Sequence, residues 1–157
     1  MRFSVVFIGV ILLYGGPASS QNHLLNSQSV LSYSGYSQSL RYGTTKNQFR
    51  YYGGINFYLS KDAFPWSSTP GISIETDYYF SNKAGGTVFA LYQWKPSYKQ
   101  KSTIHEVFLG YGIHVPIKKL TINSSIGAGL IHQYSKKYNF SINDIGYCTS
   151  LGFSYSL

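Results

Sequence analysis

Bulky and small or polar residues alternate one for one along most of the chain. The closing stretch CTSLGFSYSL shows the pattern most clearly. Its bulky positions are Leu151, Phe153, Tyr155 and Leu157, and Ser150, Gly152, Ser154 and Ser156 lie between them. A period of two residues is typical of a β-strand whose two faces meet different surroundings. Because the alternation recurs from about residue 27 to the end, it predicts an all-β fold of about eight strands.

Turn-forming stretches of two lengths separate these strands. TTKN, SNKAGG and PIKK are short, whereas KDAFPWSSTPG, KPSYKQKS and YSKKYNFSIND are longer. Short turns on one side and longer loops on the other are typical of up-and-down barrels that cross a membrane. The first two strands, on either side of Gly35, are the least clearly bounded.

The composition favours a membrane over water as the main solvent. Charged residues make up 11% of the chain, against about 25% in a typical soluble domain, while aromatic residues reach 18%. After the N-terminal segment, no apolar stretch is long enough for a membrane helix. These features together predict strands that face lipid.

The N-terminal segment has the pattern of a cleaved export signal. Arg2 precedes the short apolar run VVFIGVILLY, and GGPASS supplies small residues at a cleavage point. We therefore expect residues 1–20 to be a signal peptide and residues 21–157 to form one barrel domain. The single Cys148 excludes an internal disulfide and is expected to be a packed thiol.

The set of small or polar positions in the alternation, here called the minor phase, indicates which face of the sheet is outside. It consists mostly of Gly, Ser, Thr and Asn, whereas a soluble barrel would place Lys, Glu and Asp there. An eight-stranded barrel has a narrow interior that its own side chains must fill, and small residues suit it. We expect a closed antiparallel up-and-down transmembrane β-barrel, with the bulky phase toward lipid.

A few charged residues share the inward phase and predict a polar network inside the barrel. They are Arg41, Arg50, Glu75, Asp77 and Glu106. Mutual pairing would offset their desolvation and would plug the lumen, so we expect no wide pore. A paired-carboxylate active site at Glu75 and Asp77 is the alternative. No metal-ligand spacing, phosphate loop or nucleophile motif is found, so no cofactor is expected.

The remaining charge is mostly lysine in turn-like stretches, within a formal net charge of +8. Nucleic acid is a poor partner for an exported chain, so anionic lipid headgroups are the better counterpart; simple solvation of loops is the alternative. Aromatic residues at strand ends fit an interfacial girdle. They include Tyr42, Tyr51, Tyr78, Trp94 and Tyr155.

The last eight residues resemble the C-terminal assembly signal of bacterial outer-membrane proteins. Gly152 and Tyr155 fit that pattern, and Leu157 stands where Phe is commonest. FLGYGIHVPIKKLTINSSIGAGL is similar to small eight-stranded outer-membrane barrels, and its style resembles the barrel domain of the Bacteroidetes group. The resemblance implies the outer membrane of a Gram-negative bacterium, with the barrel-assembly machinery and periplasmic chaperones as transient partners. We expect a monomer.

The favoured function is a structural, adhesion or interaction role, and two alternatives stay open. GAGLIHQYSKK superficially resembles the catalytic strand of outer-membrane lipid A deacylases, which would make the protein a lipid A or phospholipid acyl hydrolase. However, His132 and Ser135 are three residues apart and would face opposite sides of a strand. The third possibility is a secreted soluble barrel that binds a ligand.

Overall fold

The computed structural model describes residues 22–60, 69–81, 83–97 and 102–157, so the expected signal peptide lies outside the described residues. The described residues form eight strands. These are β1 Asn22–Ser32, β2 Gly35–Lys46, β3 Phe49–Ser60, β4 Thr69–Tyr79, β5 Gly85–Ser97, β6 Ser102–Ile117, β7 Leu120–Ser135 and β8 Phe140–Ser156. Within these ranges there is no helix of the length and apolarity needed to cross a membrane.

The strands close into a single antiparallel barrel. Each strand pairs with the next one in sequence, and β8 pairs with β1. Following the paired residues once around the wall from Asn22 leads to Cys148 and then to Ser32, ten residues further along β1. Such a stagger in an eight-stranded barrel tilts the strands by about 40° from the axis. The predicted closed up-and-down barrel of about eight strands is confirmed.

The two ends of the barrel differ in what they contain. At one end, the turn end, lie the start of β1, the end of β8 and the connections at 47–48, 80–84 and 118–119. Asn47 and Lys118 each have a φ of 57°, because two-residue hairpin turns that follow the strand twist need a positive φ. At the other end, the loop end, lie the turns at 33–34 and 136–139, the ends of β3 and β5, and the starts of β4 and β6.

Several strands continue further than the turn-forming stretches predicted. KPSYKQKS was expected to be a loop, but β5 runs to Ser97 and β6 begins at Ser102. YSKKYNFSIND is mostly strand, since only residues 136–139 separate β7 from β8. Backbone pairing extends past the point where side chains stop alternating in polarity. The observed difference in length between the turns and the loops is therefore smaller than predicted.

The bulky phase of the strands faces outward, as predicted. Leu109 is 63% exposed and Ile126 is 66% exposed, whereas Glu106 on the other phase is fully buried. The largest completely enclosed side chains include Arg41, Lys95 and His114. The outer wall is therefore mostly apolar, whereas charged side chains such as Arg41, Lys95 and Glu106 are enclosed inside the barrel.

The middle of the lumen is apolar, which differs from the expectation of small or ionised groups along the whole axis. The cluster contains Val30, Tyr58, Phe89, Leu91, Ile104, Phe108, Ile131 and Cys148. Gly127 makes room for it, because a Cβ there would lie 2.7 Å from Cζ of Phe89. The expected packed thiol of Cys148 is confirmed, since that residue is buried in this cluster.

Candidate functional site

The turn-end half of the lumen contains a buried ion pair held by amide and ring partners. Nη1 of Arg41 lies 2.8 Å from Oε2 of Glu75. Nε and Nη2 of Arg41 donate to Oδ1 of Asn26 at 2.9 Å and 2.7 Å, and the guanidinium lies over the ring of Tyr52 at 5.1 Å. Since the arginine has partners on several sides, its desolvation is compensated within the barrel.

Tyr79 links the other two charged residues of this half. Its hydroxyl donates to Oδ2 of Asp77 at 3.2 Å and accepts from Nη1 of Arg50 at 3.2 Å. The Arg50 guanidinium lies over the same ring, 4.1 Å from its centroid. Asp77 and Arg50 are directly opposite each other on β4 and β3, so the tyrosine joins two charges that the register brings together.

Glu75 and Asp77 line a small cavity together with Gln28 and Ser150. Its volume of about 10 Å³ has room for about one water molecule. Oε1 of Gln28 and Oδ1 of Asp77 are buried there without a partner in the protein. The paired carboxylates therefore border a space for about one water molecule.

The loop-end half of the lumen holds a second ion pair. Nζ of Lys95 lies 2.5 Å from Oε2 of Glu106, and both side chains are completely buried. Oε1 of Glu106 accepts from the hydroxyls of Ser32 at 3.0 Å and Ser34 at 2.5 Å. The ammonium also lies 4.9 Å from the ring centroid of Tyr58. The pair thus closes the lumen just below the 33–34 turn.

The structure places the five predicted network residues in two clusters separated by the apolar middle. Four of them, Arg41, Arg50, Glu75 and Asp77, lie in the turn-end half, whereas Glu106 lies in the loop-end half with Lys95. Sequence reasoning missed Lys95, because it was assigned to a basic loop. Two signals pointed to it: it continues the phase of Phe89 and Leu91, and three inward acids need a third cation.

The predicted assembly-signal residues lie at the turn end of β8. Gly152 is buried and faces the lumen opposite Gln28, while Tyr155 and Leu157 are exposed on the outer wall. The amide of Leu157 donates to the carbonyl of His23 at 3.0 Å, which closes the seam between the first and last strands. Recognition of this segment by an assembly machinery stays a prediction.

The serine and histidine considered for acyl hydrolysis lie on opposite faces of β7. His132 is exposed on the outer wall, and its Nδ1 lies 2.7 Å from Oδ1 of Asn143. Ser135 is 1% exposed and faces inward. Ser135 therefore cannot serve His132 as a nucleophile without a change in strand register.

Neither a protein-family model nor a curated protein sequence matches the chain. Among solved structures, it is similar to Neisserial surface protein A, with 16% identity and a TM-score of 0.48 over 90% of this chain and 100% of that one. It is also similar to a major outer membrane protein from Thermus thermophilus, with 10% identity and a TM-score of 0.47 over 88% and 100% of the two chains.

Proposed function

We propose that the protein is a small integral barrel of a Gram-negative outer membrane, with a closed lumen and a structural, adhesion or interaction role. The observation that carries the proposal is the mostly apolar outer wall of the barrel, which is clearest on β6. The proposal includes export through a cleaved signal at residues 1–20, insertion by the barrel-assembly machinery, and a monomeric state.

The outer face of β6 shows the apolar surface at full height. Six successive outward residues, from Val107 to Ile117, are apolar or aromatic and between 42% and 69% exposed. They are Val107, Leu109, Tyr111, Ile113, Val115 and Ile117. At about 3.3 Å per residue and a tilt of about 40°, this stretch spans about 25 Å along the axis. That height equals the apolar band of outer-membrane barrels, about 25 Å, and a soluble monomer rarely exposes so much contiguous apolar surface.

An aromatic girdle borders this surface at the turn end. The ring of Phe49 lies 6.1 Å from that of Tyr51 and 5.0 Å from that of Tyr78, which in turn lies 5.4 Å from Phe80. Such rings favour the boundary between lipid and water. The girdle therefore supports a membrane boundary at this level.

Lysines lie just beyond the girdle at the same end. Lys46, Lys118 and Lys119 are exposed, and Nζ of Lys119 lies 5.9 Å from the ring centroid of Tyr155. Cations at this depth would meet anionic headgroups. The order of apolar surface, aromatic rings and lysines along the axis is the order that a membrane interface favours.

The filled lumen argues for a role on the surface and against transport. Two ion-paired clusters and the apolar middle occupy the axis, and an eight-stranded barrel leaves no aqueous channel. Among the described residues, the 136–139 turn at the loop end is exposed and free to meet other molecules, and it carries Lys136, Lys137 and Tyr138.

The proposal is tested by fractionating cells that express the full chain. We expect the protein in the outer-membrane fraction, with a different gel mobility before and after boiling in detergent, because a closed barrel resists unfolding until heated. A matched control is a periplasmic protein processed in parallel. Recovery of a monomer in detergent-free buffer would overturn the proposal and favour the soluble ligand-binding alternative.

A further inference from the structure

The outer wall changes from apolar to polar in one row at the loop end. On β5 to β8, directly opposed residues form this row: Trp94 faces His105, His105 faces His132, and His132 faces Asn143. Apolar residues follow immediately toward the turn end, beginning with Val107 on β6 and Leu130 on β7. The two histidines are therefore neighbours on the wall, at the border of the apolar surface.

Each imidazole in this row already has a partner at Nδ1. The hydroxyl of Tyr92 lies 2.9 Å from Nδ1 of His105, and Oδ1 of Asn143 lies 2.7 Å from Nδ1 of His132. The two ring centroids are 6.2 Å apart, with an interplanar angle of 41°. Neither Nε2 has a hydrogen-bond partner among the described residues, and Nε2 of His105 offers a lone pair when its Nδ1 donates to the Tyr92 hydroxyl.

The contact with Oδ1 of Asn143 determines which ring nitrogen of His132 carries the proton. A carbonyl oxygen only accepts, so Nδ1 of His132 must carry the proton. In the neutral ring, Nε2 then has its lone pair free. Holding one ring nitrogen with a hydrogen bond while the other binds the ion is the usual support of metal-binding histidines in proteins.

We propose that His105 and His132 form a binding site for one divalent transition-metal ion on the outer wall. Two imidazoles that bind one ion at about 2.1 Å have ring centroids about 5 to 6 Å apart, and the observed separation of 6.2 Å is close to that range. The described residues contain no group of three or more His, Cys, Asp or Glu that could hold a metal. Water or headgroup oxygens would fill the other positions, and Cu²⁺ should bind more tightly than Zn²⁺ or Ni²⁺.

The experiment titrates Cu²⁺ and Zn²⁺ separately into the folded protein in detergent, purified without a histidine tag. Cu²⁺ should quench part of the tryptophan fluorescence, since Trp94 faces His105, and calorimetry should give one ion per chain. We expect His105→Ala and His132→Ala each to weaken binding at least tenfold. All titrations use a His23→Ala background, because cleavage after residue 20 would leave His23 as the third residue, where its imidazole and the free N-terminus together bind Cu²⁺. Restoring His23 is the control, and it should add a second Cu²⁺ site without changing Zn²⁺ binding at the wall. Heat-modifiable mobility checks that every variant is folded.

Variants of Asn143 distinguish whether the ligand is a metal ion or a headgroup phosphate. Asn143→Asp should tighten Zn²⁺ binding several-fold, because a carboxylate behind the imidazole makes it a better ligand, whereas it would repel phosphate. Asn143→Ala should weaken Zn²⁺ binding by about tenfold. The proposal is overturned if neither metal binds saturably, if the double His→Ala variant binds as the native protein does, or if inorganic phosphate binds instead and Asn143→Asp abolishes it.

Discussion

Glu106 and Val107 are neighbours in sequence but lie in opposite surroundings. Glu106 is fully buried against Lys95 inside the barrel, whereas Val107 is 48% exposed on the outer wall. An alternation of buried and exposed positions recurs along the other strands, because successive side chains of a strand point to opposite faces, although β8 is exposed on both faces from Ser141 to Ile145. The comparison teaches that burial and polarity are decoupled in this chain. A substitution should therefore be judged by which face it changes.

The largest effect is expected from an unpaired charge in the lumen. Glu106→Ala leaves the Lys95 ammonium buried without its partner, which should lower the free energy of unfolding by about 3 to 5 kcal/mol. The double variant Lys95→Met/Glu106→Leu should recover most of that loss, since no charge then remains at the site. Urea unfolding of the protein in vesicles measures both values. If the two variants were equally unstable, the ion pair would not be the source of the loss.

A charge placed on the outer wall should cost an amount that depends on depth. Ile113→Lys lies near the middle of the apolar surface and should destabilise by about 2 to 4 kcal/mol in vesicles. Ile117→Lys, on the same strand at the turn end, should cost about 0 to 1 kcal/mol. The same unfolding measurement compares the two variants. Equal and small effects would mean that the wall faces water.

The apolar middle of the lumen should be sensitive to a single methyl group. At Gly127, a Cβ would lie 2.7 Å from Phe89 and 2.8 Å from the carbonyl oxygen of Leu109. Gly127→Ala should therefore cost about 1 to 3 kcal/mol. Gly53→Ala is the control, because a Cβ there has nothing within 4 Å, and it should be close to neutral. A neutral Gly127→Ala would show that the packing around Phe89 is loose.

The strand alternation was enough to predict the barrel and the direction of each face, because a period of two residues is a local property. The partners inside the lumen could not be predicted in the same way. Arg41 and Glu75 lie on β2 and β4, two strands apart, so their contact depends on the register and stagger of the whole barrel. Lys95 was missed because a cluster of Lys, Pro and Ser favours a loop, although the backbone there continues the sheet.

Bulky residues on both faces of β5 were the other reason why the contents of the lumen differ from those predicted. In TVFALYQW, Phe89 and Leu91 face the lumen while Val88 and Tyr92 face outward, so polarity alone does not identify the inner face. Small residues on the neighbouring strands, including Gly110 and Gly127, provide the space that the Phe89 ring fills. This complementarity only becomes visible once the strands are aligned.

The central claim, that the outer wall faces lipid, is tested most directly by measuring which solvent surrounds that wall. In a Cys148→Ser background, a nitroxide attached to Ile126→Cys should, in vesicles, collide often with dissolved oxygen and rarely with a water-soluble nickel chelate. A label at Lys118→Cys should show the reverse. Strong access of the chelate to position 126, equal to that at 118, would contradict a lipid-facing wall.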